Sequence, residues 1–507
     1  MSAISRRLNA VNPLFSKLLS IFVLGVAIAV LISVHPSASA ESACYVSPDG
    51  SGTRSGERAN SALAWQNGEG VKTCLARSAP GGTIYVAAGE YALSDRIVWD
   101  KSGTPDRPIR LVGSGPEAIA DTYGQSVLAV RDQWPTIRGD RPYPYSPQTA
   151  GDGSDFIQLG EGVSHVEISN FNLFDFHRAI NADSAGNQSI RIKNLYAENI
   201  RQLMFVEAGC AETSCNPLIT AADWDVSNLY VLGVSKQVVR TVGLRDSTFR
   251  DIYADVRDSN GQMHWDDWPL LFHFTGPSEQ ILVERTLAKN PVQHTGKAYD
   301  NGDCYTAEEH TANITFRGAH CLEAYDSAFD LKGGPHFIED AIALKVGNRA
   351  FRVWDGPVSI HNALAAYDGD GEYTQAAEGS NAAIWVSGEA IVDGFTSINS
   401  TRPFIMAKVG DRCGALNLSN SLMVLDQENA EGRSLEPDSE CDQASSVETN
   451  VRYQTNNIPA QTSLYDRLVS IGGSRQRGFF SLLQRLLHGT QRGFVWPNDL
   501  PLDWFDI

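Results

Sequence analysis

One phrase, repeated three times at a nearly constant interval, constrains this chain more than any other feature. Asp303-Cys304-Tyr305, Ser327-Ala328-Phe329 and Arg349-Ala350-Phe351 are spaced 24 and then 22 residues apart. A polar, a small and an aromatic residue returning at that interval describe successive turns of a coil, each setting the same side chain above the last. The residues that follow the aromatics are Thr306, Asp330 and Arg352. Strands stack about 4.8 Å apart, so Asp330 and Arg352 become surface neighbours, with Asp303 and Asp326 beside them.

The periodicity extends well beyond the phrase. From Asp155 to Gln427 short segments of alternating apolar residues recur, among them 165–170, 189–194, 225–229, 280–283, 313–316, 336–338, 358–360 and 390–392. Phe316, Ile338 and Ile360 are each 22 residues apart. A fixed period in the twenties, built from short strands and turn residues, indicates a solenoid rather than a layered α/β fold. Intervals that exceed the period, such as Cys210 to Cys215, Asn260 to Pro269 and Asp368 to Ser380, read as loops projecting from particular turns, where binding walls are built.

The chain divides into four parts on this reading. Residues 1–40 carry Arg6, Arg7 and Lys17, an apolar run from Leu18 to Val34, and Ala38-Ser39-Ala40 before Glu41, the pattern of a secretory signal peptide. Residues 41–154 form an opening cap with the first turns, 155–427 the coil proper, and 428–507 an extension in which Arg475 to His488 reads as an amphipathic helix closing or flanking the coil. Cleavage after Ala40 removes three cations and takes the formal charge from −19 to −22. Such a chain repels nucleic acid and anionic membranes, and an acidic partner needs a local cation. The eight cysteines fall as neighbours, Cys44 with Cys74, Cys210 with Cys215, Cys304 with Cys321 and Cys413 with Cys441. An even count in an exported chain points to disulfides, and sequential pairing is the expectation.

The opening segment carries a first resemblance. Tyr45-Val46-Ser47-Pro48-Asp49-Gly50 runs from strand into turn, and Ser61 to Arg77 has helical character around Leu63, Trp65, Val71 and Leu75. Pro80-Gly81-Gly82 then leads into Thr83-Ile84-Tyr85-Val86 and Gly89-Glu90-Tyr91. This order resembles the entry segment of right-handed parallel β-helix proteins of the pectate-lyase-like superfamily. The resemblance implies an all-β chain, a single-stranded right-handed parallel β-helix with an N-terminal capping helix and a C-terminal helical extension. A bare end of such a stack would expose backbone edges to association.

The repeated phrase carries a narrower resemblance. Asn301-Gly302-Asp303, Asp326-Ser327-Ala328-Phe329-Asp330 and Gly347-Asn348-Arg349-Ala350-Phe351-Arg352 are similar, in order and residue type, to three motifs of the family nine polysaccharide lyases of pectate lyase L type. In that family the first two motifs supply aspartates to a calcium ion and the third supplies a lysine that removes a proton. The resemblance implies Ca²⁺ ligands at Asp303, Asp326 and Asp330, and a base at Arg352, with Lys332 or Lys345 as alternates. Two departures stand out: Ser327 replaces an aspartate, which removes a charge and a strong ligand, and an arginine replaces the lysine.

The chemistry implied is β-elimination in an acidic polysaccharide. Charge that forms as the C5 proton leaves a uronic acid would be stabilised electrostatically, a base would take the proton, and the bond to O4 would break. Trp354, Trp385, Tyr299 and Tyr305 are candidate platforms for sugar rings. A uronan C5 epimerase, a polygalacturonase-like hydrolase working with a carboxylate pair, and a non-catalytic glycan-binding protein of an exopolysaccharide system remain open alternatives. The expected molecule is a secreted or periplasmic monomer whose partner is an acidic polysaccharide, without nucleic-acid or membrane contact after export.

Overall fold

The computed structural model describes residues 42–120, 122–207, 221–292, 301–366, 382–398, 402–425, 436–437 and 445–455. The signal segment, Cys210, Cys215, Tyr299, the 368–380 loop and the basic helix at 475–488 lie outside the described residues.

Each strand pairs in parallel with the strand one turn later. Asp303–Ala307 pairs with Ser327–Leu331, that strand with Arg349–Val353, and that one with Ala382–Val386. Parallel pairing begins at Ala43–Ser47 and runs to Arg452–Thr455, past the boundary expected at 427. The antiparallel exception among the described strands is the short hairpin of Lys408–Val409 with Arg412–Cys413. The chain is therefore an all-β parallel β-helix.

The periodic apolar positions explain why the coil closes. Ile168, Ile192, Val226, Phe249, Val283, Phe316, Ile338, Ile360, Val392 and Leu418 are in register turn upon turn. All lie buried in the interior. Side chains alternate across a strand, so this shared register places the whole set inside and its neighbours outside, although the intervals between its members range from 22 to 34 residues.

Beneath the repeated phrase runs a second interior column. Phe272, Tyr305, Phe329 and Phe351 stack with ring centroids 5.1, 4.9 and 5.1 Å apart, each fully buried. Tyr305 is thus a core residue and not a sugar platform. Its hydroxyl donates to the His320 carbonyl oxygen at 2.9 Å, which satisfies the polar tip that burial would otherwise strand.

Corners of the coil are set by short polar side chains. Asn170, Asn194 and Asn228 occupy the left-handed region, with φ of 66°, 57° and 56°. Asn194 Nδ2 donates to Asn170 Oδ1 at 2.9 Å, and Asn228 Nδ2 to Asn194 Oδ1 at 3.1 Å. Asparagine tolerates this conformation better than most residues, and the chain of amides links the three corners, each amide N–H donating to the oxygen of the turn before.

The opening segment differs from expectation in its helix. Within Ser61 to Arg77 only Glu69–Arg77 is α-helical, whereas Leu63–Ala64 is a strand paired with Val46 and Ser47. Gln66, Asn67 and Gly68 all have positive φ, so a helix cannot start before them. Disulfides Cys44–Cys74 and Cys304–Cys321 match the sequential pairing, and Cys413 is also disulfide-bonded. The second of them ties Asp303–Ala307 to Ala312–Leu322. No helix among the described residues is long and apolar enough to cross a membrane.

Candidate active site

On the outer side of the aromatic column one residue per turn faces outward. In order these are Asn181, Phe205, Arg240, His273, Thr306, Asp330, Arg352 and Trp385. Asp330 and Arg352 are register partners on adjacent turns, as the spacing predicts. Asp326 enters from the turn just before its strand, where its backbone N–H donates to the Gly302 carbonyl oxygen at 3.1 Å. Gly347 is needed here, because a Cβ at that position would lie 2.1 Å from the Tyr325 carbonyl oxygen.

The three aspartates are brought together beneath three cations. Asp326 Oδ1 accepts from Asn348 Nδ2 at 3.0 Å and from Arg349 Nη1 at 3.4 Å, and its Oδ2 from Arg352 Nη1 at 3.3 Å. Asp330 Oδ1 accepts from Trp354 Nε1 at 2.6 Å and lies 3.8 Å from Arg352 Nε, while its Oδ2 lies 3.3 Å from Lys332 Nζ. Asp303 Oδ1 accepts the Ser327 backbone N–H at 2.8 Å. Lys332 also bridges to Glu308 at 2.7 Å, and His273 Nε2 stands 3.8 Å from the other oxygen of that carboxylate. The aspartates are buried, whereas the side chains of Arg349, Arg352 and Lys332 are 12, 16 and 24% exposed and face outward.

Two indoles back the cations. Arg352 Cζ lies 4.1 Å from the Trp354 ring centroid and 5.4 Å from that of Trp385, and Arg349 Cζ lies 5.6 Å from Trp385. The indoles meet edge to face at 4.8 Å. Stacking of this kind orients a planar guanidinium.

The electrostatics follow from burial and crowding. Burial, then the neighbouring Asp326 and Asp330, pushes the Asp303 carboxyl well above the usual range, against Arg352. Burial also raises Asp326, with Arg352 and Arg349 opposing. The Arg349 guanidinium is lowered by burial and then by Arg352. Burial alone would lower Lys332, but Asp330 and Glu308 outweigh it and hold the ammonium protonated. That suits Lys332 to stabilising negative charge, not to accepting a proton.

The residues do not fit the calcium ion implied by the resemblance. Among the described residues no group of three or more His, Cys, Asp or Glu side chains is placed to hold a metal. Four of the six aspartate oxygens accept hydrogen bonds from protein donors, three of them from a guanidinium or an indole N–H, and a fifth lies 3.3 Å from the Lys332 ammonium. A Ca²⁺ ion requires six to eight oxygens.

Lys345 stands apart from the site. It follows Ile342–Leu344 in a different ladder and lies 3.8 Å from Glu323. His264 and Asp266 form a separate cluster, the first on Asp258 at 3.2 Å and the second on Arg201 at 2.7 Å. Sequence reasoning missed Arg349, Glu308 and His273. Arg349 had a signal, since it lies 22 residues after Ser327, its register partner.

No family model matches this chain. No curated protein matches it. Among solved structures it is similar to the catalytic domain of a GH87 alpha-1,3-glucanase in complex with nigerose, at 10% identity and a TM-score of 0.41, over 74% of this chain. It spans 64% of that domain, just under two thirds. It is also similar to pectate lyase Pel9A, at 12% identity, a TM-score of 0.31, and 82% and 78% of the two chains. A rhamnogalacturonan lyase is similar at 12% identity and a TM-score of 0.37, over 82% of this chain and 87% of that one. Likeness at this level says nothing of activity, which rests on the side chains of the site.

Proposed function

We propose that this protein is an exported polysaccharide lyase that cleaves a uronic-acid-containing polysaccharide by β-elimination, with site motifs that resemble those of the family nine lyases. The observation that carries the reading is the outward cluster of Arg349, Arg352 and Lys332, flanked by Trp354 and Trp385. A chain of formal charge −19 repels a polyanion overall, so acidic sugars bind where cations are concentrated. The half-buried Trp354 beside those cations suits the apolar face of a sugar ring, whereas Trp385 is buried with Ala382, Ile405 and Ala407 and serves as backing, not as a platform. The disulfides fit an oxidising, extracytoplasmic compartment.

Arg352 sits at the centre of the cluster and is assigned the proton at C5, which it takes in its neutral form after giving up one proton to solvent. As that C–H bond breaks, its electron pair becomes the C4–C5 double bond and the C4–O4 bond opens. The departing oxygen takes up a proton. Lys332, held charged by Asp330 and Glu308, stabilises the negative charge that builds on the sugar. Incubation with pectate, alginate and glucuronan tests the reading. The expected outcome is ultraviolet absorbance from an unsaturated non-reducing end on one of them. Saturated reducing ends alone would assign a hydrolase, and no turnover of any uronan would leave a binding protein.

A further inference from the structure

We propose that Arg349 does here what a divalent cation does in a calcium-dependent site: it receives the carboxylate of the uronic acid, so that elimination proceeds without metal. The inference rests on the reading above that the substrate is a uronan. It assigns the carboxylate receptor to a residue that the motif resemblance leaves without a role.

Register supplies the first argument. Arg349 is the strand partner of Ser327, so the turn that carries a hydroxyl in place of a carboxylate is followed by one that adds a guanidinium. Ser327 in place of an aspartate removes one negative charge and Arg349 adds one positive charge, a change of two in all, which equals the charge of the ion they replace. The geometry supplies the second. Asp326 grips Arg349 through one oxygen and Arg352 through the other, at 3.4 and 3.3 Å. This draws two like charges together, and Trp385 and Trp354 back them at 5.6 and 4.1 Å.

Each guanidinium carries five N–H donors, and Asp326 takes one from each. The rest form a planar fork of the shape that binds a carboxylate. A divalent ion in the same place would have to strip both arginines from Asp326, and Lys332 and Trp354 from Asp330. With the substrate carboxylate on Arg349, Arg352 next to it faces the C5 proton. The charge that develops on the C6 oxygens then falls on N–H groups already in position.

Titration calorimetry on the full chain tests this with two probes. One is CaCl₂ added to chelator-treated protein. The other is a set of trigalacturonate, trimannuronate and triglucuronate, each also as its methyl ester, in the presence of EDTA. Expected are no saturable heat from Ca²⁺ and saturable binding of at least one free acid in EDTA. Methyl esterification and Arg349→Gln should each weaken that binding at least tenfold, and Arg349→Lys should restore part of it. Uronate binding that requires Ca²⁺, equal affinity in Arg349→Gln, or no uronate binding at all would overturn the inference. Arg349→Lys serves as the test if Arg349→Gln does not fold. Turnover that demands Ca²⁺ sinks this inference and leaves the lyase standing. Metal-free uronate binding without turnover does the reverse.

Discussion

Asp330 and Arg352 are paired in register on adjacent turns, with Oδ1 and Nε 3.8 Å apart. The carboxylate fixes the guanidinium from below, while Trp354 donates to the same oxygen and stacks on the same guanidinium. If Arg352 handles the proton, Arg352→Ala lowers kcat by about 10²–10⁴-fold with KM little changed. Arg352→Lys retains part of the rate. Steady-state kinetics on the uronan that is turned over would decide the matter, and a variant with intact kcat would remove Arg352 from the chemistry.

Tyr305 and Trp354 should respond oppositely to truncation. Tyr305 is stacked between Phe272 and Phe329 with no exposed surface, so Tyr305→Ala costs about 3–5 kcal/mol of stability. Trp354→Ala removes a ring from the outer face and one donor to Asp330, so its main effect is a rise in KM. Denaturant unfolding set beside kinetics separates the two, and a stability loss for Trp354→Ala as large as for Tyr305→Ala would contradict the outward placement.

The contrast shows what was legible in the sequence. An interval of 22 residues fixes register, and register together with the two-residue alternation of a strand decides which of two neighbours points inward. The aromatic of the repeated phrase and the residue after it therefore lie on opposite faces, which places Asp330 and Arg352 outside and Tyr305 inside. Treating Tyr305 as a platform ignored that alternation. His273 was harder to find: Phe272 and Tyr305 are register partners 33 residues apart, so the period is broken there by an inserted loop. Glu308 lies just past the strand Asp303–Ala307 and gains meaning only from Lys332 one turn on. The short helix was over-extended because apolar spacing carries no trace of the positive φ at Gln66 and Asn67.

Asp303 should destabilise the fold at neutral pH. Burial and the two neighbouring aspartates raise its carboxyl, so the folded chain holds this proton more tightly than the unfolded one. Folding then takes up a proton above the ordinary aspartate value of about 3.9, and the stability tied to this group, complete below that value, is lost as pH rises through the raised one. Asp303→Asn keeps the oxygen that accepts the Ser327 N–H and removes the charge. The variant should melt higher than the parent at neutral pH, with the gap closing in acid. A lower melting point at neutral pH would mean that the ionised carboxylate has a partner, such as a bound cation, that stabilises it.

Glu308 carries the opposite sign. Burial alone would raise its carboxyl, but His273 and Lys332 outweigh that and bring it down to about 2. A depressed carboxylate stabilises the fold above its unfolded value and loses that contribution as pH falls through the folded one, here a window from 4.5 down to about 2. Glu308→Gln should therefore cost on the order of 1–3 kcal/mol at neutral pH, with the difference from the parent vanishing across that window. Urea unfolding of both proteins through the acid range measures it. The same substitution leaves Lys332 with Asp330 as its carboxylate partner, so it should also lower turnover. A pH-independent gap would show that the Lys332–Glu308 pair is not ionised, and with it would go the charge that Lys332 is held to supply.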